Sequence, residues 1–533
     1  MAQRPIALNF APGVQRDGTK LDSLSAVDAL WCRWRLGRPR KMRGYSEIAD
    51  VLAGPARRIH MFYQGSNTII HVGTSQSLQQ IVIDANGNLV STADRTPLSF
   101  AAGPDVGWTL DAVFDTTSDA VQLIAHAVPD LTAVGSDQQT TPFLGLIDSA
   151  ALLGPFTNPG DTSAGNVYTQ PDLAGGIVAV QPFVFGFDAY GLVQWSAPNL
   201  PNYLGIKGGS SGAGSARISA QKIVAGMPLR GGGAYSPAAL FWSLSEVIVA
   251  SYVGSPAYFS FNTVSPSSSI LSNASVIEYD GLYFWAGIDR FLVYNGTVVE
   301  VPNPFNQDWF FDNMNWDYAG KSFAFKVPRY GEIWWCAPLF GATEPSHAVI
   351  YNVREKCWYD TVLPNGGRGA GFYAQGFRYP VMGGVALGGN GYSLWLHEKG
   401  TDQIKGGVPS PVRSYYETPY LAATRKDPPT DDGYSIRQVE PDITQTGDLD
   451  VLLVGTFNPR VADATAESVT LPPYPAVTQE ELASFKSTLR LPRLHFESNV
   501  LGGSYITGRN ILHVGDAKDM RITSGKSAAT GSS

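Results

Sequence analysis

The chain has 533 residues, with 46 Asp and Glu against 38 Lys and Arg and a net charge of −8. No apolar run approaches the roughly 18 to 20 residues of a membrane-spanning helix, and three cysteines are too few for a disulfide framework or a four-cysteine zinc site. Charged residues are only 16%, while Gly, Pro and aromatic residues are abundant. This composition predicts an all-β protein of short strands and tight turns, without a membrane span.

The first distinctive element is residues 31–45, WCRWRLGRPRKMRGY, in an otherwise acidic chain. Six basic side chains and no acidic one lie between Arg33 and Arg43. In a β-strand, Cys32, Trp34 and Leu36 would point to one face, and Trp31, Arg33 and Arg35 to the other. The sequence LGRPR would then form the turn. We predict a β-hairpin with an apolar face and a guanidinium-rich face, within an N-terminal arm of residues 1–50.

Three interpretations of this hairpin are open. Its arginines and tryptophans would bind phosphates and stack on bases in a nucleic-acid contact. In a purely structural role, the guanidinium groups would pair with acids of the same fold. As a protein anchor, the hairpin would use the residue types most enriched in interfaces. The candidate protein-attachment surface comprises Trp31, Arg33, Trp34, Arg35, Arg38 and Arg40.

Tryptophans recur through residues 51–404, and the steps from Trp195 to Trp334 are 47, 43 and 49 residues. A period of roughly 40 to 50 residues is typical of four-stranded propeller blades. Asn-Gly pairs at 86–87 and 295–296 predict hairpin turns. We therefore predict a β-propeller of six or seven blades over 51–404, and a closure that mixes both chain ends would alter the count. Candidate blades lie near 57–97, 105–150, 174–204, 220–265, 270–305, 321–362 and 367–400.

A Gly- and Pro-rich stretch, residues 402–414, marks a domain boundary. Residues 405–524 predict a C-terminal β-sandwich. It contains one short helix at TQEELASFKSTL, where Thr478 and Glu481 form a capping box and Leu482, Phe485 and Leu489 share a stripe. Residues 525–533 have little to bury and are expected to form a flexible tail.

No catalytic residue, metal site or cofactor is predicted, and we expect the protein not to be an enzyme. The seven histidines never fall at metal-ligand spacing. The rival hypothesis is a propeller glycosidase acting on host surface polysaccharide, which needs two carboxylates in one cleft. The available acids lie at strand ends or turns, where solvated carboxylates are commonest: Asp280, Asp289, Glu300, Glu355 and Asp360.

Several stretches, in their order along the chain, resemble the tail hub or nozzle proteins of short-tailed (podovirus-type) bacteriophages. They are APGVQRDGTKLDSLSAVDALWCRWRLGRPRKMRGY (11–45), ALFWSLSEVIVASYVGSPAYFSFNTV (239–264), SVIEYDGLYFWAGIDRFLVYNGTVVEVP (275–302), VIYNVREKCWYD (349–360) and RLHFESNVLGGSYITGRN (493–510).

The resemblance implies a structural virion protein, a β-propeller in each of six subunits of a ring below the portal and adaptor. This ring would continue the DNA channel, retain the packaged genome and pass it at ejection. The implied partners are further copies of the chain in a homohexamer, the portal and adaptor proteins, tail fibres or spikes, and genomic DNA in transient, sequence-independent passage. The implied location is the virion tail, assembled in the host cytoplasm.

One alternative keeps the propeller but turns it outward, as a fibre-docking or receptor-binding module of the tail. The loops at 205–219 and 303–320 are the candidate contacts at the rim of the ring.

An acidic channel wall would repel phosphate and let DNA slide.

Overall fold

The computed structural model of the chain describes residues 4–19, 21–133, 138–157, 173–205, 212–230, 236–421, 433–456, 461–473 and 483–517. Within these ranges the regular structure is almost all β-strand, in eleven sheets. The α-helix Gln307–Asp312 and the 3-10 helices Trp316–Lys321 and Pro364–Gly366 complete it. The predicted all-β class is confirmed.

Seven sheets follow one another along the chain, each built on four antiparallel strands. Sheet 1 contains Ala56–Gln64, Asn67–Thr74, Leu78–Ile83 and Leu89–Asp94. Sheet 2 contains Gly107–Asp115, Ala120–Val128, Phe143–Leu146 and Gly154–Pro155. Sheet 3 contains Gly176–Val180, Phe183–Phe187, Leu192–Ala197 and Leu200–Leu204, with Gly214–Arg217 also paired to its third strand.

Sheets 4 to 6 repeat the same order. Sheet 4 contains Ile223–Pro228, Ala238–Ser243, Val247–Gly254 and Tyr258–Ser265. Sheet 5 contains Val276–Tyr279, Leu282–Ala286, Phe291–Tyr294 and Val298–Glu300. Sheet 6 contains Phe323–Val327, Glu332–Ala337, His347–Asn352 and Cys357–Val362.

Sheet 7 combines strands from distant parts of the chain. Its first three strands are Arg368–Phe372, Val381–Val385 and Tyr392–His397. The fourth is Tyr45–Leu52 from the N-terminal region, paired antiparallel to Tyr392–His397. The hairpin of Gln403–Lys405 and Val408–Ser410 extends the sheet beyond it.

Each predicted range in the middle of the chain overlaps one of these sheets, but Gly154–Pro155 of sheet 2 and Tyr45–Leu52 of sheet 7 lie outside their predicted ranges. The tryptophan period arises because Trp195, Trp242, Trp285, Trp334 and Trp395 lie on the second or third strand of their sheets, where all five are buried. An Asn-Gly turn also lies where expected: Gly87, with a φ of 83°, separates two strands of sheet 1. Local patterning therefore identified the strand groups correctly.

The first strands of most neighbouring sheets are in contact. The first strand of sheet 2 contacts those of sheets 1 and 3, and the series continues from sheet 3 to 4 and from sheet 5 to 6 to 7. The first strand of sheet 7 contacts that of sheet 1. Sheets 4 and 5 join through a shared apolar core, in which the rings of Trp242 and Trp285 lie 5.6 Å apart.

Three of the four remaining sheets combine the two ends of the chain. Sheet 8 contains Arg4–Ala7, Ile511–Ala517, Gly433–Glu440, Ala483–Ser484 and Thr488–Leu489. Sheet 9 contains Asp28–Leu30, Ser414–Glu417, Leu491–Ser498, Leu449–Thr456 and Ala464–Leu471. Sheet 10 contains Ile443–Thr446, Ser504–Thr507, Arg38–Lys41 and Cys32–Arg35. Ala11–Val14 and Ser25–Ala26 form a small parallel sheet.

The N-terminal arm is thus part of sheets whose other strands come from the C-terminal region. One apolar core contains residues of the arm, of sheets 6 and 7 and of the C-terminal strands, including Trp34, Trp334, Trp395, Tyr416 and Phe496. The arm, the central sheets and the C-terminal sheets therefore bury apolar surface together.

The predicted helix over 478–489 is wrong in the part that the structure describes. Ala483–Ser484 and Thr488–Leu489 are short strands paired with Gly433–Glu440. Phe485 and Leu489 are buried in the shared core, because a stripe of apolar residues can be buried by strand pairing as well as by a helix face. Thr478, Glu481 and Leu482, like the predicted tail at 525–533, lie outside the described residues.

We predict that Trp285→Ala destabilises the protein by about 3 to 5 kcal/mol, the usual cost of truncating a buried Trp. Its indole has no solvent exposure, and its Nε1–H donates to the Ser269 carbonyl at 3.0 Å. Trp316, which is 48% exposed, is the matched control, and Trp316→Ala should cost about 1 kcal/mol or less. Urea denaturation measures both; equal losses would contradict the assigned burial.

Buried neutral histidines should make the fold sensitive to acid. Burial lowers the pKa of His126 to about 4 despite its contact with the Leu173 carbonyl, and burial likewise lowers the pKa values of His60, His71 and His397. Below pH 6.5 the unfolded chain therefore binds protons that the folded chain does not, so stability falls as pH falls from about 6.5 toward 4.

His126→Gln should flatten this dependence. Between pH 6.5 and 4 the wild type should lose about 1.4 kcal/mol per pH unit more than the variant, because one titrating group has been removed. Free energies of unfolding from urea titrations at pH 6 and pH 5, inside this window, give the two slopes. If the wild type and His126→Gln have the same slope, then His126 is not neutral in the folded protein.

Candidate functional site

The predicted N-terminal hairpin is present. Cys32–Arg35 and Arg38–Lys41 pair antiparallel, with Arg35 opposite Arg38. The two loop residues, Leu36 and Gly37, have φ angles of 54° and 71°, the values of a type I′ turn. Glu355 caps this turn: its carboxylate accepts the N–H of Leu36 at 2.7 Å and that of Gly37 at 3.1 Å.

Arg33 lies inside the protein, bound to two glutamates of the same chain. Its Nη1 donates to Glu398 at 2.8 Å and its Nη2 to the other Glu398 oxygen at 2.5 Å. Its Nη2 also donates to Glu332 at 3.1 Å, and its Nε lies 2.7 Å from Glu332 Oε1, an ion pair without hydrogen-bond geometry. The guanidinium is 1% exposed, and its carbon lies 3.8 Å from the centroid of the Tyr330 ring.

Burial and charge oppose each other in this cluster. Burial alone would lower the pKa of Arg33, but Glu332 and Glu398 outweigh it and raise that pKa well above its usual value. Burial raises the pKa of the Glu332 carboxyl, and Glu398 adds to the rise while Arg33 opposes it. Glu332 also accepts hydrogen bonds from Tyr359 at 2.7 Å and Trp334 at 2.9 Å. Every donor around Glu332 thus comes from this fold.

Both predicted tryptophans of the attachment surface are also buried. The backbone N–H of Trp31 donates to Thr361 Oγ1, and its indole N–H donates to the Arg43 carbonyl, each at 2.9 Å. The Trp31 ring packs edge-on against Trp334 with centroids 6.0 Å apart, and the Trp34 ring lies 5.5 Å from Tyr359. Both indoles are therefore core groups of the chain.

The predicted attachment surface must accordingly be corrected. Trp31, Arg33 and Trp34 are not available to a partner of the folded chain, because both faces of their strand are covered. Arg35 and Arg38 are exposed beside the turn, and Arg40 is partly buried. Burial lowers the pKa of Arg40, and the nearby Arg33 lowers it further.

The partners of Arg33 were missed at the sequence level. Glu332 precedes the apolar run IWWCA and is buried in sheet 6, and Glu398 directly follows the third strand of sheet 7, at a φ of 61°. In each case, the sequence signal that could have identified the glutamate was an acidic residue next to an apolar strand. Nothing local connected either glutamate to an arginine about 300 residues away.

The acids considered for hydrolysis lie in several different surroundings. Asp289 and Glu300 line one cleft of about 550 Å³ between sheets 4 and 5. Arg290, which lies beside both, binds Asp289 at 2.6 Å and holds the pKa of that carboxyl below its usual value, whereas a glycosidase acid needs a raised one. Asp360 is buried against Arg16, and Glu355 caps the hairpin turn. Asp280 lies in an exposed turn.

In the described ranges, no group of three or more His, Cys, Asp or Glu side chains is placed to hold a metal ion. The three cysteines are buried free thiols. No helix in the same ranges is long and apolar enough to span a membrane.

Comparisons with known proteins supply no family. No family model matches the chain, and no curated protein matches it. Among solved structures, the computationally designed Ika8 protein is similar over 66% of this chain and 99% of its own, with 10% sequence identity and a TM-score of 0.34. A likeness this weak carries no argument about fold or function.

We predict that Arg33→Ala destabilises the protein by about 3 to 5 kcal/mol, because it leaves the buried Glu332 and Glu398 without their cation. Arg38→Ala, on the exposed side of the same hairpin, is the matched control and should change stability by about 0.5 kcal/mol or less. Urea denaturation at neutral pH compares them. A small effect at Arg33 would mean that its ion pairs are replaceable by water.

Proposed function

We propose that this chain is a structural protein of a virion, the tail nozzle or hub of a short-tailed bacteriophage, and that it catalyses no reaction. In this proposal a homohexameric ring sits below the portal and adaptor, continues the DNA channel, retains the packaged genome and passes it at ejection. Fibres or spikes dock at its rim, and the ring assembles in the host cytoplasm. The sequence resemblance of five stretches in order along the chain motivates this proposal.

We further propose that sheets 1 to 7 are the blades of a seven-bladed β-propeller. Two observations support this: the contacts among first strands, supplemented between sheets 4 and 5 by their shared apolar core, and the completion of sheet 7 by Tyr45–Leu52. A fourth strand taken from the opposite chain end joins the last blade to the start of the first, which resists opening of the ring. Sheets 8 to 10 would form the β-sandwich attached to this propeller.

The observation that carries the structural role is the path of the N-terminal arm. Arg4–Ala7 pairs with Ile511–Ala517, Asp28–Leu30 with Ser414–Glu417, and Arg40 with Ile506. The same arm then supplies Tyr45–Leu52 to sheet 7. Because several separate strand pairings must break before the two groups of sheets can part, such a subunit suits a part that transmits force during DNA passage.

The excess of acidic side chains supports the proposed passage of DNA. The basic groups clustered in residues 33–43 are partly withdrawn into the fold, since Arg33 and Lys41 are buried. Without the six basic residues of that stretch, 32 basic side chains remain against 46 acidic ones. A subunit with a net negative charge would on balance repel phosphate, so DNA would slide past it.

We predict that a low-resolution map of the virion, with an antibody fragment bound to this protein, places the label on the tail axis below the portal. The label should appear in a ring, because the proposed channel runs through repeated copies. Label at the outer ends of appendages would instead favour the fibre-docking or receptor-binding alternative. Release of reducing ends from host polysaccharide by the purified protein would overturn the non-enzymatic proposal.

A further inference from the structure

The two ends of sheet 6 carry opposite charge. At one end, the turn between His347–Asn352 and Cys357–Val362 meets the tip of the N-terminal hairpin, through the bonds from Leu36 and Gly37 to Glu355. We call this end the basic patch. Its exposed cations are Arg35, Arg38, Arg329, Arg354 and Lys356.

The basic patch is a connected surface. Arg354 donates to the carbonyls of Pro328 and Arg329 at 2.8 and 3.3 Å, so the two turns touch. Arg35 and Arg329 both approach the Tyr330 ring, at 5.7 and 5.5 Å. Within the described residues neither Arg35 nor Arg38 forms an ion pair. An apolar side chain, Leu36, projects from the tip and is 81% exposed.

The other end of sheet 6 carries acids and exposed aromatic rings. His347 begins the third strand there, and the Phe340 ring lies 5.1 Å from it. The Phe340 N–H donates to the carbonyl of Asn313 at 2.9 Å, which connects this loop to the short helices at 307–321. We call this end the acidic–aromatic patch. Its exposed residues are Asp308, Asp312, Trp316, Asp317 and Phe340.

The two patches cannot neutralise each other within one chain. They lie at opposite ends of the strand His347–Asn352, whose five residue steps span about 17 Å. Among the described residues, local cations do not cancel the acids either, since Arg16 is paired with Asp28 and Asp360, and the buried Lys321 is paired with Asp105 and Glu344. Each patch is therefore open to a partner of opposite charge.

We propose that the basic patch of one copy binds the acidic–aromatic patch of a second copy, head to tail. This inference rests on the proposed function, in which copies of the chain form a ring, and it names the surfaces that meet. A contact between two different patches leaves one of each patch free, so it repeats until a ring closes. Leu36 then packs against Trp316 or Phe340, while opposite charges surround the apolar contact.

A second copy explains more of the surface than nucleic acid does. Phosphate would account for the arginines and the lysine but not for an exposed leucine at the centre of the basic patch. It would also leave the exposed indole of Trp316 and ring of Phe340 without a role. Exposed aromatic and arginine side chains on complementary surfaces are typical of protein interfaces.

Charge reversal tests the pairing. The basic-patch variant is Arg35→Glu with Arg38→Glu, and the acidic-patch variant is Asp312→Lys with Asp317→Lys. All four side chains are exposed, and thermal unfolding checks that the variants fold. Arg378→Glu and Asp50→Lys, both at exposed positions in the sheet 7 region, are the matched charge controls.

Sedimentation velocity at low and high salt measures self-association of the full chain. We expect wild type and controls to associate, and high salt to weaken association. Each patch variant alone should associate about tenfold or more weakly, because its two reversed side chains carry the same charge as the patch that they would meet. An equimolar mixture of the two variants should associate again, since each retains the patch that complements the other.

Three results would overturn the inference. Undiminished association of both variants would place the interface elsewhere, while a ring on the tail axis in the virion map would leave the proposed function standing. A wild-type chain that stays monomeric at low salt would remove the head-to-tail contact. Salt-dependent binding of duplex DNA that the basic-patch variant loses would assign that patch to nucleic acid.

Discussion

The buried ion pairs of Arg33 join the N-terminal hairpin to sheets 6 and 7. Arg33 lies on the N-terminal hairpin, Glu332 on the second strand of sheet 6, and Glu398 directly after the third strand of sheet 7. A buried ion pair adds little net stability compared with apolar packing, yet it penalises any arrangement that leaves one charge unpaired. The hairpin is thereby held in one position, because a shift of one residue would move the guanidinium to the other face.

The positions of other elements depend on the position of the hairpin. The hairpin continues into Tyr45–Leu52, which completes sheet 7, and it pairs through Arg40 with the C-terminal strand Ser504–Thr507. Its placement also leaves Leu36 and the flanking arginines exposed at one end of sheet 6. The same interaction that orders the interior thus decides which basic groups reach solvent.

Much of the central fold was predictable from local patterns. Asn-Gly turns and the spacing of buried tryptophans identified seven strand groups, because hairpin turns and alternation act over a few residues. Local patterns could not decide whether residues 478–489 form a helix or strands. A short apolar stripe there satisfies a helix and a pair of edge strands equally, and pairing with Gly433–Glu440 decides between them. The exchange of strands between the two chain ends had no local signal at all.

The same distinction between local and long-range interactions applies to the candidate site. The sequence by itself determined the all-β class, the hairpin at 32–41 and the alternation of its side chains, since these follow from backbone sterics and nearest neighbours. Only the tertiary structure decided that both faces of the hairpin are covered, that Arg33 meets Glu332 and Glu398, and that Arg35 and Arg38 stay exposed. Burial is a property of what packs against a strand, and here the packing partners lie about 300 or more residues further along the chain.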